Sequence, residues 1–327
     1  MATVIDPWTR VDRLISQQEP RFAQGFRRMV GQMRRDISLA QIEVLLEQGR
    51  LEDAMELVLR RVPELPRLYN ESFMSAAQET AQFFNRNLSQ VFMVFDQTNT
   101  QAVHSMQENQ VRLIREFSQT QRDATRTALL DGIQAGDNPR AQARNFRDSI
   151  GLTAKQQRAV ANYRRALESG SSDALRRKLR DRRYDRSVIR SMQTGDALDP
   201  ALIDRMVDRY RERYIKYRSE VIARTEALKS VHEGRNASYQ QAIADGHIDP
   251  NSLRNEWQAT LDDRTRDTHS ELDQRTVPYG GLFTTIRGNS APYPGAFGVA
   301  EEDIQCRCRM GTRIVQIAPI PGITAHI

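Results

Sequence analysis

Cys306 and Cys308, the two cysteines of a 327-residue chain, stand two positions apart in the stretch "AEEDIQCRCRMGTRIV". A disulfide between positions i and i+2 closes a strained ring, and two cysteines are too few for a disulfide framework. Two readings remain. Free cysteines are small hydrophobes that are commonly buried. On an extended strand, however, i and i+2 point to the same side, and two thiolates there supply half of a tetrahedral zinc site. His269 is the candidate third ligand. It lies on an expected helix where Leu261, Thr265, His269 and Leu272 share one face. A histidine so placed is also what a hydrogen-bonded core residue looks like. His269, Cys306 and Cys308 therefore form a partial zinc set, with Asp263, Asp273, His247 or water as the fourth ligand. His104, His232 and His326 lie far off in sequence or in the C-terminal tail.

A second chemistry is carried by charge. Lys and Arg total 48 against 42 Asp and Glu, for a formal net charge of +6. Only four of the basic residues are lysines (155, 178, 216 and 229), and arginine is the better residue for bidentate phosphate contacts. The most basic window is "RRKLRDRRYDRSVIR", 176–190, with eight positive residues against two aspartates. It reads either as a solvated helix face or as a phosphate-contacting one, through Arg176, Arg177, Lys178, Arg180, Arg182 and Arg183. One interleaved aromatic does not suggest single-strand stacking.

Helices are expected to carry most of these residues. No run of 18 apolar residues is present, so no membrane-spanning helix is expected. The N-terminus lacks the apolar core of a signal peptide, which points to a reducing cytosol. Residues 1–62 read as helical. Ser38 and Gln41 make a capping box for a helix stopping at Gly49, and a second short helix ends before Pro63. This pair reads as a docking unit or as a plain helical hairpin. Another helix covers 68–88, and "VFMVFD", 91–96, is a strand or a buried turn. A long helix over 100–133 carries the stripe Val103, Met106, Val111, Ile114 and Phe117. Pro139 suits a first helical turn, and Thr153 an N-cap. A second long helix over 200–243 places Val207, Tyr210, Tyr214, Tyr217, Val221 and Leu228 on one seam. Beyond Gly246 the pattern changes. A short strand surrounds Trp257, the helix bearing His269 follows, glycine- and proline-rich loops begin at Pro278, and a "CRCRMGTRIV" strand closes the region. The fold class expected is mostly α, with long-helix N-terminal and middle regions followed by a small α+β, zinc-stapled C-terminal domain. The divisions expected are 1–65, 66–200, 201–315 and an extended tail, 316–327.

The order of motifs in this last region resembles the phage Mu protein F-like minor head, or head morphogenesis, family. That family's pattern is an R-T-E helix, a D-x-R-T-R-x-x-H segment followed by L-D, and a terminal C-R-C. Here the matching residues are Arg224-Thr225-Glu226, Asp263 to His269 with Arg264, Thr265 and Arg266, Leu272-Asp273, and Cys306-Arg307-Cys308. The likeness is specific over about 216–313, weaker from "FDQTNTQAV" through "IGLTAKQQRAVANYRRAL", and slight before about residue 65. One departure is Gln274, where the family often has glycine after L-D, which leaves a different turn open there. The resemblance implies a low-copy structural protein of a tailed-phage capsid. It would meet the portal protein, the major capsid or scaffolding protein and packaged double-stranded DNA, and act in procapsid assembly and in genome packaging or ejection. Its place would be the capsid interior or portal vertex, and the host cytoplasm during assembly.

Two rival classes remain. An open zinc site activates water, with Glu226, Asp263 and Glu271 as acid or base of a nuclease. Against that reading, the sequence lacks H-E-x-x-H, Walker, G-x-S-x-G and deaminase patterns. A non-specific DNA-binding accessory protein is favoured by the basic window, although no reader motif accompanies it. At the edge of the 200–243 seam, Glu226 is expected to pair with Arg264 or Arg266, and Arg224 with Asp262 or Asp263.

Overall fold

The computed structural model describes residues 2–316 except 61, 63 and 90. Of the expected tail, 316–327, all but Gln316 lies outside the described residues, as does Pro63. In chain order the elements are β1 (Ala2–Asp6), α1 (Trp8–Asp36), α2 (Leu39–Glu47), α3 (Leu51–Leu59), α4 (Glu64–Asn87), α5 (Thr100–Gln134), α6 (Pro139–Ser149), α7 (Ala154–Glu168), α8 (Asp173–Arg176), α9 (Asp185–Thr194) and α10 (Pro200–Ala244). There follow β2 (Leu253–Gln258), α11 (Asp267–Ser270), β3 (Thr276–Pro278), β4 (Phe283–Thr284), β5 (Ser290–Ala291), α12 (Ala300–Asp303) and β6 (Arg309–Gln316). The chain is mostly helical, with its strands concentrated near the C-terminal end.

Several helix ends follow from local chemistry. Ser38 Oγ accepts the Gln41 N–H at 3.4 Å and starts α2. Thr153 and Gln156 complete a reciprocal capping box at α7. Asn138 caps α6 with Pro139 in the first turn.

Other expectations are corrected. The chain does not begin helical. Thr3, Val4 and Ile5 are β-branched, and β1 pairs antiparallel with β6, a partner at the far end of the described chain that no local pattern reveals. Residues 91–96 join no ladder. Val91, Met93 and Phe95 are buried while Phe92 and Val94 are exposed, and the backbone is held by Asn85 and Gln241 side chains instead. Val111 and Tyr217 are exposed, so neither long-helix stripe is buried throughout. The basic window is not one helix. α8 ends at Arg176, a 3₁₀ turn covers Arg182–Tyr184, and α9 begins at Asp185. The helix expected to carry His269 is a single turn, and Leu261 stands outside it, exposed and at φ +54°.

The described chain forms two compact units that interleave along the sequence. Of the described residues, one takes in those of 2–22, 66–110 and 221–316, the other those of 23–65 and 111–220. In the first, the antiparallel sheet has the order β1-β6-β2-β3, with Asp6 opposite Thr312 and Trp257 opposite Met310. Its core joins Phe73, Ala77, Phe84 and Phe95 to Tyr239, Leu253 and Ile314. α4 and α10 approach closely at Gly234, where a Cβ would stand 2.1 Å from the Phe73 carbonyl oxygen. Next to this contact Ser230 donates to Ser72 at 2.7 Å. A buried charge cluster closes the β1 end of the sheet. Asp6 accepts from Arg10, from Arg235 at 2.8 Å and from Tyr239 at 3.0 Å, and Arg235 also donates to Thr312. In the second unit α2 packs against α6. There the buried Arg218 guanidinium lies 5.5 Å from the centres of both the Phe26 and Phe117 rings.

Candidate metal centre

Strand β2 brings Trp257 into the core and, after the loop 259–266, the chain turns into α11. This one turn buries Thr268 and His269. The His269 ring is clamped between Trp257, edge-on at 5.5 Å, and Phe297, stacked at 5.5 Å and 24°. Cys306 and Cys308 lie immediately before β6 rather than in it, yet both sulfurs face the same atom. Each Sγ is 3.5 Å from His269 Nδ1, and all three residues are buried. The i, i+2 expectation of a common side thus holds without ladder pairing at the cysteines. Among the described residues, His269, Cys306 and Cys308 are the one such gathering of three ligand groups, their ligand atoms lying within 4.8 Å of one another. Asp263, Asp273 and His247 are not members of it.

The donor set fits a soft divalent ion. Thiolate and imidazole bonds of about 2.3 Å and 2.0–2.1 Å at a tetrahedral angle imply a sulfur-to-nitrogen edge of about 3.5 Å, the separation observed. The pair is already disposed to hold one thiolate. The hydrogen bond with Cys308, reinforced by His269, holds the Cys306 thiol well below its ordinary range. The same bond and burial push Cys308 up. Behind the imidazole stands Glu302, a residue the sequence reading missed. Its Oε2 lies 3.1 Å from His269 Nε2 and accepts from Thr268 Oγ1 at 2.8 Å, while Oε1 accepts from Asn289 at 3.2 Å. Burial raises the Glu302 pKa, but these hydrogen bonds and the histidine outweigh it and the net shift is downward. No sequence signal sets Glu302 apart from Glu301 and Asp303 in the "EED" run before the cysteines.

The motif residues hold the turn that presents the cysteines. Thr225 Oγ1 accepts the Gln305 N–H at 3.1 Å, fixing a residue at φ +58° directly before Cys306. Arg266 donates to the Ile304 carbonyl at 2.5 Å. Arg307 pairs bidentately with Asp262, and those hydrogen bonds hold the Asp262 carboxyl well below the usual range. Thr265 closes the Asp262 turn, accepting from the Asp262 N–H and donating to its carboxylate. Asp273 accepts the Ala259 N–H at 2.8 Å. Arg224 binds Glu19 of α1 at 2.6 Å rather than Asp262 or Asp263, a partner remote in sequence. Asp263 and Arg264 are exposed, Arg264 lying 3.9 Å from Asp262. Glu226 is buried. Gln274 occupies the left-handed region at φ +59°, so the turn keeps a conformation that favours glycine although the residue differs.

Of the six basic residues read as phosphate contacts, three face carboxylates. Arg180 pairs with Asp185 at 2.9 Å, Arg183 with Asp181 at 2.6 Å and Arg176 with Asp173 at 3.3 Å. Lys178 and Arg182 are exposed without a carboxylate partner among the described residues, and Arg177 is half-buried.

Residues 184–311 match the family described as Phage Mu protein F like protein. Two relatives share parts of the chain. An NAD(+)–arginine ADP-ribosyltransferase, EFV, of Enterococcus faecalis is 44% identical over 87 residues, 27% of this chain and 17% of that protein. Minor head protein GP7 of Bacillus phage SPP1 is 32% identical over 93 residues, 28% of this chain and 29% of that protein. The chain thus spans well under half the length of either relative. No solved structure matches it.

Proposed function

Because its segment 184–311 is Phage Mu protein F like, we propose that the chain is a minor head protein of a tailed bacteriophage. In this reading it associates with the portal and the major capsid or scaffolding protein, and acts during procapsid assembly. One observation carries the proposal beyond the family match. Thr225, Arg266, Arg307 and Asp262 are all engaged in fixing the segment 304–308, which is what a structural motif requires. The likeness to a minor head protein supports the same reading. The match to the ADP-ribosyltransferase covers 17% of that enzyme, and its activity forms no part of the proposal. The centre at His269, Cys306 and Cys308 is read as a structural zinc site, since thiolate ligands favour zinc over hard cations and binding adds directly to folding.

The test follows one set of variants through assembly. Wild-type chain should appear at low copy in purified heads by quantitative mass spectrometry. Asp262→Asn, which removes the Arg307 partner, should lower the unfolding temperature and the incorporation together. Absence of the chain from purified heads would refute the proposal. So would a metal-dependent nicking of plasmid DNA that disappears in a stable, normally incorporated Glu226→Gln.

A further inference from the structure

Glu302 is buried at 1% exposure, and its two carboxylate oxygens are held by Thr268 and Asn289. Among the described residues it serves no surface ion pair and caps no helix. It also faces the side of His269 turned away from the cysteines, with Nε2 3.1 Å from Oε2, and feels the Arg266 charge. The two atoms are within reach but not aligned as a hydrogen bond. The imidazole has one degree of freedom that matters to a metal, namely which nitrogen carries the proton. Both sulfurs face Nδ1, so a metal-binding ring must keep its proton on Nε2.

We infer that Glu302 is the positioning residue of the centre: its carboxylate accepts the Nε2–H of His269 and so leaves the Nδ1 lone pair to the ion. This rests on the metal reading above. Ligating histidines generally give their other ring N–H to a carboxylate, carbonyl or water, and loss of that partner weakens affinity about 10–100-fold. Thr268 and Asn289 orient the acceptor. Thr268 precedes His269 directly, and Asn289 lies in the β4–β5 turn, where its carbonyl accepts the Thr285 N–H. The short contact between α11 and α12 thereby aims the ring at the cysteines.

The experiment is competition for zinc between the full chain and a chromophoric chelator, joined to long-range ¹H–¹⁵N spectra of the zinc-loaded wild type. Glu302→Ala should bind zinc about 10–100-fold more weakly. Glu302→Gln, which keeps an acceptor oxygen, should recover part of the loss. The spectra should show His269 bound through Nδ1 and protonated at Nε2. Wild-type affinity in Glu302→Ala, or coordination through Nε2, overturns the inference while leaving the metal reading intact. If Glu302→Ala does not fold, the wild-type spectra still decide between the two nitrogens. A wild-type chain that takes up no zinc removes the metal reading, and the inference with it.

Discussion

Gln274 and Asp6 show how single residues are fixed by demands the local sequence does not state. A non-glycine residue in the left-handed region carries a cost of about 1–2 kcal/mol, and the Gln274 side chain is exposed. Gln274→Gly relieves that cost but adds freedom to the unfolded chain. It should stabilise the protein by about 0.5–1 kcal/mol in urea unfolding; a loss of stability would mean that the side chain makes a contact of its own. For Asp6, burial alone would raise the pKa, but Arg235 and Arg10 outweigh it and bring the carboxyl down to about 2 from 3.8. A depressed folded pKa means the native state favours the ionised form. The stabilisation is therefore complete above the unfolded pKa, near pH 4, and is lost as pH falls through about 2. Linkage puts it on the order of 2 kcal/mol. Asp6→Asn should cost about 3–5 kcal/mol at pH 7 by leaving Arg235 uncompensated, and its stability should fall less between pH 4 and 2 than the wild type's. A parallel pH profile for the two proteins would contradict the assignment. Cys306, Cys308 and His269 were legible from type and spacing. Glu302 was not, because nothing in one sequence distinguishes a buried acid in "EED" from its solvated neighbours.

Among the elements, α4 and α10 depend on one missing side chain. At Gly234 an added Cβ would meet the Phe73 carbonyl oxygen at 2.1 Å, a backbone atom that cannot swing aside. Gly234→Ala should therefore destabilise by about 3 kcal/mol, despite alanine's better helix propensity, and the urea midpoint measures it. Unchanged stability would show that the helices can part at little cost. The capped helices α2, α6 and α7 were readable in the sequence because their start signals lie within a few residues of one another. Sequence spacing overextends α11 to residue 261. The apolar pattern persists through a segment whose backbone is diverted by the Asp262–Thr265 turn and the Arg307 pair. β1 was missed since its ladder partner, β6, stands at the opposite end of the described chain.

Over the whole molecule, the family match at 184–311 does not account for the fold by itself. The sheet runs past that segment: β1, from the N-terminus, pairs with residues 312–316 of β6, and Asp6 supplies the buried counter-charge of Arg235. If the net charge of +6 serves contact with DNA, the exposed Lys178 and Arg182, without a carboxylate partner among the described residues, are the residues of the basic window to test first. Lys178→Gln with Arg182→Gln should weaken low-salt duplex binding more than Arg180→Gln with Arg183→Gln, because the latter two arginines already serve Asp185 and Asp181. The slope of log affinity against log salt should shrink by about 0.9 for each phosphate that is no longer neutralised. No binding at low salt, or equal effects of the two pairs, would make the window a solvated surface. Elemental analysis decides whether the C-terminal motifs build a metal staple or a plain buried cluster. The wild-type chain purified without chelator should carry about one zinc per chain, and Cys306→Ser with Cys308→Ser should carry none; equal metal in the two proteins, or none in the wild type, would leave a plain buried cluster.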